Sequence, residues 1–275
     1  MARRLVRKCR GSWDEENAEH RTPNAEPRIP DIQCSVFGVR RSAFFFFQML
    51  SAIIVAAGSS QRMGFDKLFA LLGGKPVVAR TLNAFEGTDC VDEIILVGRA
   101  ERLPELQELV RRAGSRKVRH VVAGGQHRQD SVRAGLNLLA SGARYVAVHD
   151  AARPFITAAQ IGRVFELARQ HGAAALAEPI TDTLKRGDEN RFVIGGVDRE
   201  RLYAMQTPQV FSRDLLVDAY NAVAEKKLFV TDEVSAVEQL GAKVLLVPND
   251  QFNLKITFPR DLPLAESFLS QRPPL

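Results

Sequence analysis

From Ser51 onward, short runs of β-branched and other apolar residues alternate with stretches whose apolar positions recur at helical spacing. That alternation is the pattern of stacked β-α-β units and a mostly parallel sheet. The runs Ala52–Ala56, Glu93–Val97, Arg119–Val122, Tyr145–His149 and Ala173–Glu178 predict strands, and their apolar content predicts burial on both sheet faces. Pro76 suits the first position of a helix over Val77–Phe85. Thr157 caps a second helix that runs to His171 and stops at Gly172, and a third covers Gln129–Ala140. The rhythm fails between Ile180 and Phe211, where polar, extended segments with turn signals at Gly187-Asp188 and Gly195-Gly196 read as an inserted arm. Beyond it the pattern gives a helix over Arg213–Glu225 and another opening at Thr231-Asp232-Glu233 and ending at Gly241. A strand at Lys243–Val247 and a last helix from about Arg260 close the series. The expectation is an α/β domain over residues 51–275, with a mostly parallel, Rossmann-like sheet flanked by helices and an extended β-arm at 180–211.

Residues 1–50 carry no sustained period and open on the basic run Arg3, Arg4, Arg7, Lys8, Arg10. They read as a disordered extension or as a translation start assigned too far upstream, since Met49 directly precedes the first strand. Asp14, Glu15, Glu16 and Glu19 spoil the acid-poor composition of a plastid or mitochondrial transit peptide, so a cytoplasmic protein is expected. The net charge of +6 changes the picture little. Residues 1–50 hold nine Lys/Arg and six Asp/Glu, which leaves the other 225 residues with the same small excess. Nucleic acid is not the expected partner, nor is a membrane, because no apolar run reaches the roughly 18–20 residues a span needs. Cys9, Cys34 and Cys90 have no metal-ligand spacing and suit a reducing compartment.

The candidate chemistry begins where the first strand ends, in Ala56-Ala57-Gly58-Ser59-Ser60-Gln61-Arg62-Met63-Gly64-Phe65-Asp66-Lys67. Small residues at the carboxyl end of a buried strand let a nucleotide approach the backbone N–H groups, while Arg62 and Lys67 bring positive charge to a triphosphate. The spacing is neither Gly-x-Gly-x-x-Gly nor that of a Walker loop, which disfavours dehydrogenase and P-loop readings. Two further motifs lie at strand ends. Gly124-Gly125-Gln126-His127-Arg128-Gln129-Asp130-Ser131 leads into a helix, so its N–H groups and dipole face the same edge. Tyr145-Val146-Ala147-Val148-His149-Asp150-Ala151-Ala152-Arg153-Pro154 places Asp150 where a carboxylate can hold Mg²⁺ on nucleotide phosphates, and Arg153 where it can pair with an acceptor phosphate. His149 reads as a hydrogen-bonded strand end, not a general base.

Ala-Ala-Gly-x-x-x-Arg-Met-Gly followed by Lys resembles the signature of nucleotidyltransferases that activate sugars and sugar alcohols on a glycosyltransferase-A-type sheet. From Ser51 to about Leu269 the motifs, in order, resemble those of the 2-C-methyl-D-erythritol 4-phosphate cytidylyltransferase family. The resemblance implies that CTP is bound by Ala56, Ala57, Gly58, Gly125, Ser131, Asp150 and Ala151, with Gly125 and Ser131 on the cytosine. It gives Arg62 and Lys67 the triphosphate and Lys255, in Asn253-Leu254-Lys255-Ile256-Thr257, a phosphate near the scissile bond. Thr183 and Arg199, together with Arg153, would grip methylerythritol phosphate, the first two by reaching from the 180–211 arm into the partner's site in a homodimer. Thr231-Asp232-Glu233 also matches a family motif, which helix capping explains adequately.

The expected activity is transfer of CMP from CTP to 2-C-methyl-D-erythritol 4-phosphate, with Mg²⁺ or another divalent cation as cofactor, in non-mevalonate isoprenoid precursor synthesis. Arg62, Lys67, Arg199 and Lys255 are the expected catalytic cations, because bringing two phosphorylated anions together is the main obstacle. Ribitol 5-phosphate is the alternative acceptor. A nucleotide-binding protein without turnover is the alternative of another class.

Overall fold

The computed structural model describes residues 49–58 and 63–271. Its seven-stranded sheet is built from β1 (Met49–Ala56), β4 (Val91–Gly98), β5 (Val118–Ala123), β6 (Ala143–Asp150), β7 (Ala173–Pro179), β10 (Tyr203–Ser212) and β11 (Leu245–Pro248). The strand order is β11-β7-β10-β6-β1-β4-β5. Every pairing is parallel except those of β10, which runs antiparallel between β6 and β7. Two small ladders lie apart from this sheet, β2 (Leu71–Leu72) with β3 (Lys75–Pro76) and β8 (Leu184–Gly187) with β9 (Val193–Val197).

Strand alternation sorts β1 onto two faces. Leu50, Ala52, Ile54 and Ala56 pack in one buried cluster with residues of α1 (Val77–Glu86), α2 (Leu103–Ala113), α4 (Ala158–His171) and α7 (Asp261–Ser270). Ile53 joins the opposite cluster with residues of α3 (Arg128–Leu136), α5 (Arg213–Glu225) and α6 (Glu233–Glu238). Each fully buried Ile, Leu or Phe contributes about 1.5–3 kcal/mol, so the two clusters hold the sheet from both sides. Thr157 caps α4 as expected, accepting from the Gln160 N–H, and Gly172 ends that helix in the left-handed region at φ 83°.

Two expectations need correction, and one helix was missed. The segment 180–211 is not wholly an arm: Tyr203–Ser212 forms β10, and only the residues before it, with the β8–β9 hairpin, lie outside the main sheet. Gln206, Thr207 and Pro208 disguise that strand, since they fall where its ladder with β7 breaks register between Met205 and Gln209. Helix α3 ends at Leu136, short of Ala140, and α2, which crosses from β4 to β5, goes unread in the sequence.

The topology places the site. From β1 the chain moves to β4 and β5 on one side, then returns to lay β6 on the other. Ligands of open α/β sheets bind beyond the carboxyl ends of the strands at such a reversal.

Candidate active site

Val55 and Asp150 are register partners at the carboxyl ends of β1 and β6. Around them lies a cavity of about 500 Å³ lined by Ala57, Gly58, Lys67, Gly125, Ser131, Asp150 and Lys255, with Arg128, Ala152 and Thr257 among its other walls. Ala57 and Gly58, Lys67 and Leu68, and segments 125–131, 150–152 and 255–257 thus converge on one place. The loop carrying Lys67 is fastened at Asp66, whose carboxylate pairs with Arg99 and accepts from Arg102 Nε at 3.1 Å. Lys67 Nζ donates to the Ile256 carbonyl at 2.8 Å, bringing it beside the Lys255 segment. At the start of α3 the chain passes so closely that a Cβ on Gly125 would collide with the Asp130 side chain. Asp130, the third residue of the helix, accepts from the N–H of the N-cap residue His127 at 2.9 Å. Ser131 is buried, and its hydroxyl donates back to the His127 carbonyl at 3.2 Å.

Asp150 is the electrostatic centre. Lys255 Nζ lies 2.7 Å from Oδ2, Arg128 Nε donates to Oδ1 at 3.3 Å, and Arg153 Nε sits 3.8 Å from Oδ2. Burial by itself would push this carboxyl up; the charges of Arg128 and Lys255, the Lys255 hydrogen bond and Arg153 outweigh it and hold it well below the usual carboxylate range.

His149 is fully buried, and burial pushes its pKa down to about 3, against the opposing pull of Asp150. Thr207 Oγ1 accepts from the Asp150 N–H at 3.1 Å and lies 3.0 Å from His149 Nδ1, while His149 Nε2 lies 3.3 Å from the Arg153 carbonyl. The arrangement that satisfies all three has the threonine hydroxyl donating to Nδ1 and Nε2–H donating to Arg153. His149 is thus a neutral strap across the Asp150–Arg153 turn, not an acid or base near neutral pH.

A second cavity of about 320 Å³ adjoins the first, lined by Arg153, Gln206, Thr207, Gln209, Thr231 and Asp232 together with Arg128, Asp150 and Lys255. Arg153 is largely spent on main chain, donating to the Asn253 carbonyl at 2.8 Å and the Met205 carbonyl at 3.4 Å.

Two expected CTP contacts do not reach the first cavity. Ala56 points to the other sheet face, because alternation sends Val55 and Ala57 toward the site. Ala151 is buried, its N–H donating to the Val55 carbonyl at 3.0 Å and its carbonyl accepting from Thr81 Oγ1 at 2.8 Å, so Ala152 forms the wall in its place. Thr183 and Arg199 are exposed in the segment between β7 and β10 and line neither cavity; Arg199 donates to the Thr181 carbonyl. Arg62 lies outside the described residues. Arg128, Thr207, Gln209 and Glu233 all stand in motifs that resemble the family's, Thr207 and Gln209 in Gln206-Thr207-Pro208-Gln209, yet the sequence assigned none of them a role. Arg128 stood inside a motif already singled out. Glu233 stood in a stretch that resembles a family motif and was put down to helix capping, although its side chain is fully buried against Arg128.

Known proteins resemble this chain over most of its length. The family model for IspD, 2-C-methyl-D-erythritol 4-phosphate cytidylyltransferase, matches residues 50–271. The chain is 40% identical over 224 residues to the 2-C-methyl-D-erythritol 4-phosphate cytidylyltransferase of Halalkalibacterium halodurans, covering 81% of this chain and 97% of that one. It is 45% identical over 229 residues to the bifunctional enzyme IspD/IspF of Desulforudis audaxviator, covering 82% of this chain but spanning only 57% of that relative's length. The crystal structure of 4-diphosphocytidyl-2C-methyl-D-erythritol synthase from Anaerococcus prevotii superposes with a TM-score of 0.73 at 30% identity, over 82% of this chain and 97% of that one.

Proposed function

Because this chain belongs to the 2-C-methyl-D-erythritol 4-phosphate cytidylyltransferase family, we propose that it transfers the CMP group of CTP to 2-C-methyl-D-erythritol 4-phosphate. An oxygen of the acceptor phosphate attacks the α-phosphorus, the bond from that phosphorus to the bridging oxygen of the β-phosphate breaks, and pyrophosphate leaves. The products are 4-diphosphocytidyl-2-C-methyl-D-erythritol and pyrophosphate. The single observation carrying this reading is a pair of adjoining cavities, one edged by glycine-rich and small-residue loops and both reached by Asp150 and Lys255.

A phosphomonoester is mostly dianionic near neutral pH, its second pKa being about 6, so the nucleophile needs no base. Cations then do the work of bringing two anions together. Lys67, with Arg62, serves the triphosphate; Lys255, at the meeting of the cavities, serves the phosphate being transferred; Arg153 serves the acceptor side. Gly125 and Ser131 flank the base, and Ala57 and Gly58 leave room for it. Among the described residues no three His, Cys, Asp or Glu side chains are grouped so that they could hold a metal ion by themselves. The hard oxygens of Asp150 nevertheless fit Mg²⁺ that arrives with the nucleotide, since this ion takes one or two carboxylates and fills its remaining positions with phosphate and water. When bound, it supplies neutralisation of phosphate charge.

We place Thr183 and Arg199 in the partner's site of a homodimer, through the segment holding the β8–β9 hairpin. No helix among the described residues is long and apolar enough to cross a membrane, and the cytoplasm, where nucleoside triphosphates circulate, is the setting this reading takes. Pyrophosphate release is the test, measured with CTP, Mg²⁺ and either methylerythritol phosphate or ribitol 5-phosphate. Turnover with the first and little with the second is expected; the reverse preference overturns the acceptor assignment. For the dimer, inactive Lys67→Ala and Arg199→Ala chains are mixed. Activity returns if the arm serves the neighbour, and an inactive mixture counts against the exchange.

A further inference from the structure

Three side chains, Arg128, Asp150 and Lys255, line both cavities and so form the partition across which the new bond would be made. Arg128 is the one whose orientation is set from elsewhere. Its Nη1 and Nη2 donate as a fork to Glu233 Oε1 and Oε2 at 2.6 and 2.9 Å, and its Nε donates to Asp150 Oδ1 at 3.3 Å. Glu233 has no solvent exposure, and its Oε1 also accepts from the Tyr220 hydroxyl at 3.0 Å. Its own N–H donates to Gln209 Oε1 at 3.1 Å, and Gln209 Nε2 donates to Asp232 Oδ2 at 3.0 Å. A bidentate fork fixes the plane of a guanidinium as well as its place. Fixing that plane fixes Nε, and with it the edge that meets Asp150.

We infer that Glu233 is a positioning residue for the transfer reaction, acting through Arg128 on Asp150 and on the alignment of the two cavities. By taking both terminal nitrogens it leaves Asp150 steadied by one long hydrogen bond instead of captured by a two-pronged pair. It also ties the start of α6, where Thr231 and Asp232 line the acceptor-side cavity, to the first turn of α3, next to the Gly125–His127 wall of the nucleotide-side cavity. A helix-capping role does not account for this, because Asp232 does the capping: its Oδ1 accepts from the Ser235 N–H at 3.0 Å. Stability alone is a weak reason for the pair, since apolar replacements of buried ion pairs are often neutral or stabilising.

That last point supplies the test, which rests on the transferase reading above. In the double variant Arg128→Met, Glu233→Leu, a merely structural pair is replaced by apolar packing. The expected result is a melting temperature close to the parent's and unchanged CTP affinity by equilibrium dialysis and acceptor KM, with kcat down on the order of 100-fold, the cost of a misplacement near 1 Å. Glu233→Asp keeps the charge and draws the fork back by one C–C bond, about 1.5 Å; it should fold and show an intermediate loss confined to kcat. Parental kcat in the double variant, or in Glu233→Asp, overturns the inference, as does a fall in CTP affinity as large as the fall in turnover. A parent protein without turnover on either acceptor sinks the transferase reading and this inference together, whereas an active parent with fully active variants sinks the inference alone.

Discussion

The two cavities that meet at Asp150 are made of opposite materials. The cavity that the proposed reading gives to the nucleotide has small residues among its walls, Ala57, Gly58, Gly125 and Ala152, at the ends of β1 and β6 and before α3. The acceptor-side cavity is walled by long polar side chains that hold one another: Gln209 donates to Asp232 at 3.0 Å, and Gln206 accepts from Asn253 and donates to Glu178 at 3.0 and 2.9 Å. One owes its shape to atoms left out, the other to bonds that are made. An added methyl group therefore harms the first, while a lost polar group harms the second, because it strands a buried partner.

The largest expected effect lies at the charge beside the first cavity. Lys67→Ala removes a preorganised cation and should cost roughly 10²–10³-fold in kcat with the fold intact. Near-parental turnover in a steady-state assay would reject its role. Next comes the polar cavity's strap. His149 stays neutral in the folded protein down to about pH 3, whereas its ordinary value is 6.5, so below pH 6.5 the unfolded chain binds a proton that the folded one refuses. Stability then falls with falling pH at up to about 1.4 kcal/mol per unit, on the order of 2 kcal/mol by pH 5, and nothing is lost above the ordinary value. Denaturant melts at pH 7 and pH 5 without divalent cation should show this loss in the parent and a shallower one in His149→Gln; equal losses would contradict the strap. Asp150 titrates far below this window and does not confuse it. The smallest effect separates the cavities most sharply. Gly125→Ala should weaken CTP binding by about 10-fold, or 1.4 kcal/mol, through its clash with Asp130, with acceptor KM unmoved. An equal change in both constants would mean that the cavities are not independently built.

The same difference in materials explains what the sequence disclosed. The nucleotide-side walls come from continuous motifs that leave a strand or enter a helix, so Ala57, Gly58, Gly125 and Asp150 could be read locally, and Lys255 through its likeness to the family. The acceptor-side walls come from β10 and the start of α6, and their bonds join residues far apart in the chain, such as Gln206 to Glu178 and Arg128 to Glu233. Proline and glutamines made β10 look like loop, and Asp232 beside Glu233 made a buried counter-ion look like part of a cap. The side chains of Ala56 and Ala151 turn away from the cavity, which could not be read, since a motif names residues without saying to which side each one turns. Helix α2 was legible and went unread: Pro104 stands in its first turn, and Gly114 closes it at φ 62°.

Residues 181–201 leave and re-enter the protein body at a single doorway, where the Ile180 N–H donates to the Leu202 carbonyl at 3.0 Å and Pro179 faces Tyr203 across the ladder. Not one of those 21 residues is buried. Such a detour can lengthen, shorten or be swapped whole between related chains at almost no cost to folding, which frees it to change under selection for whatever binds it.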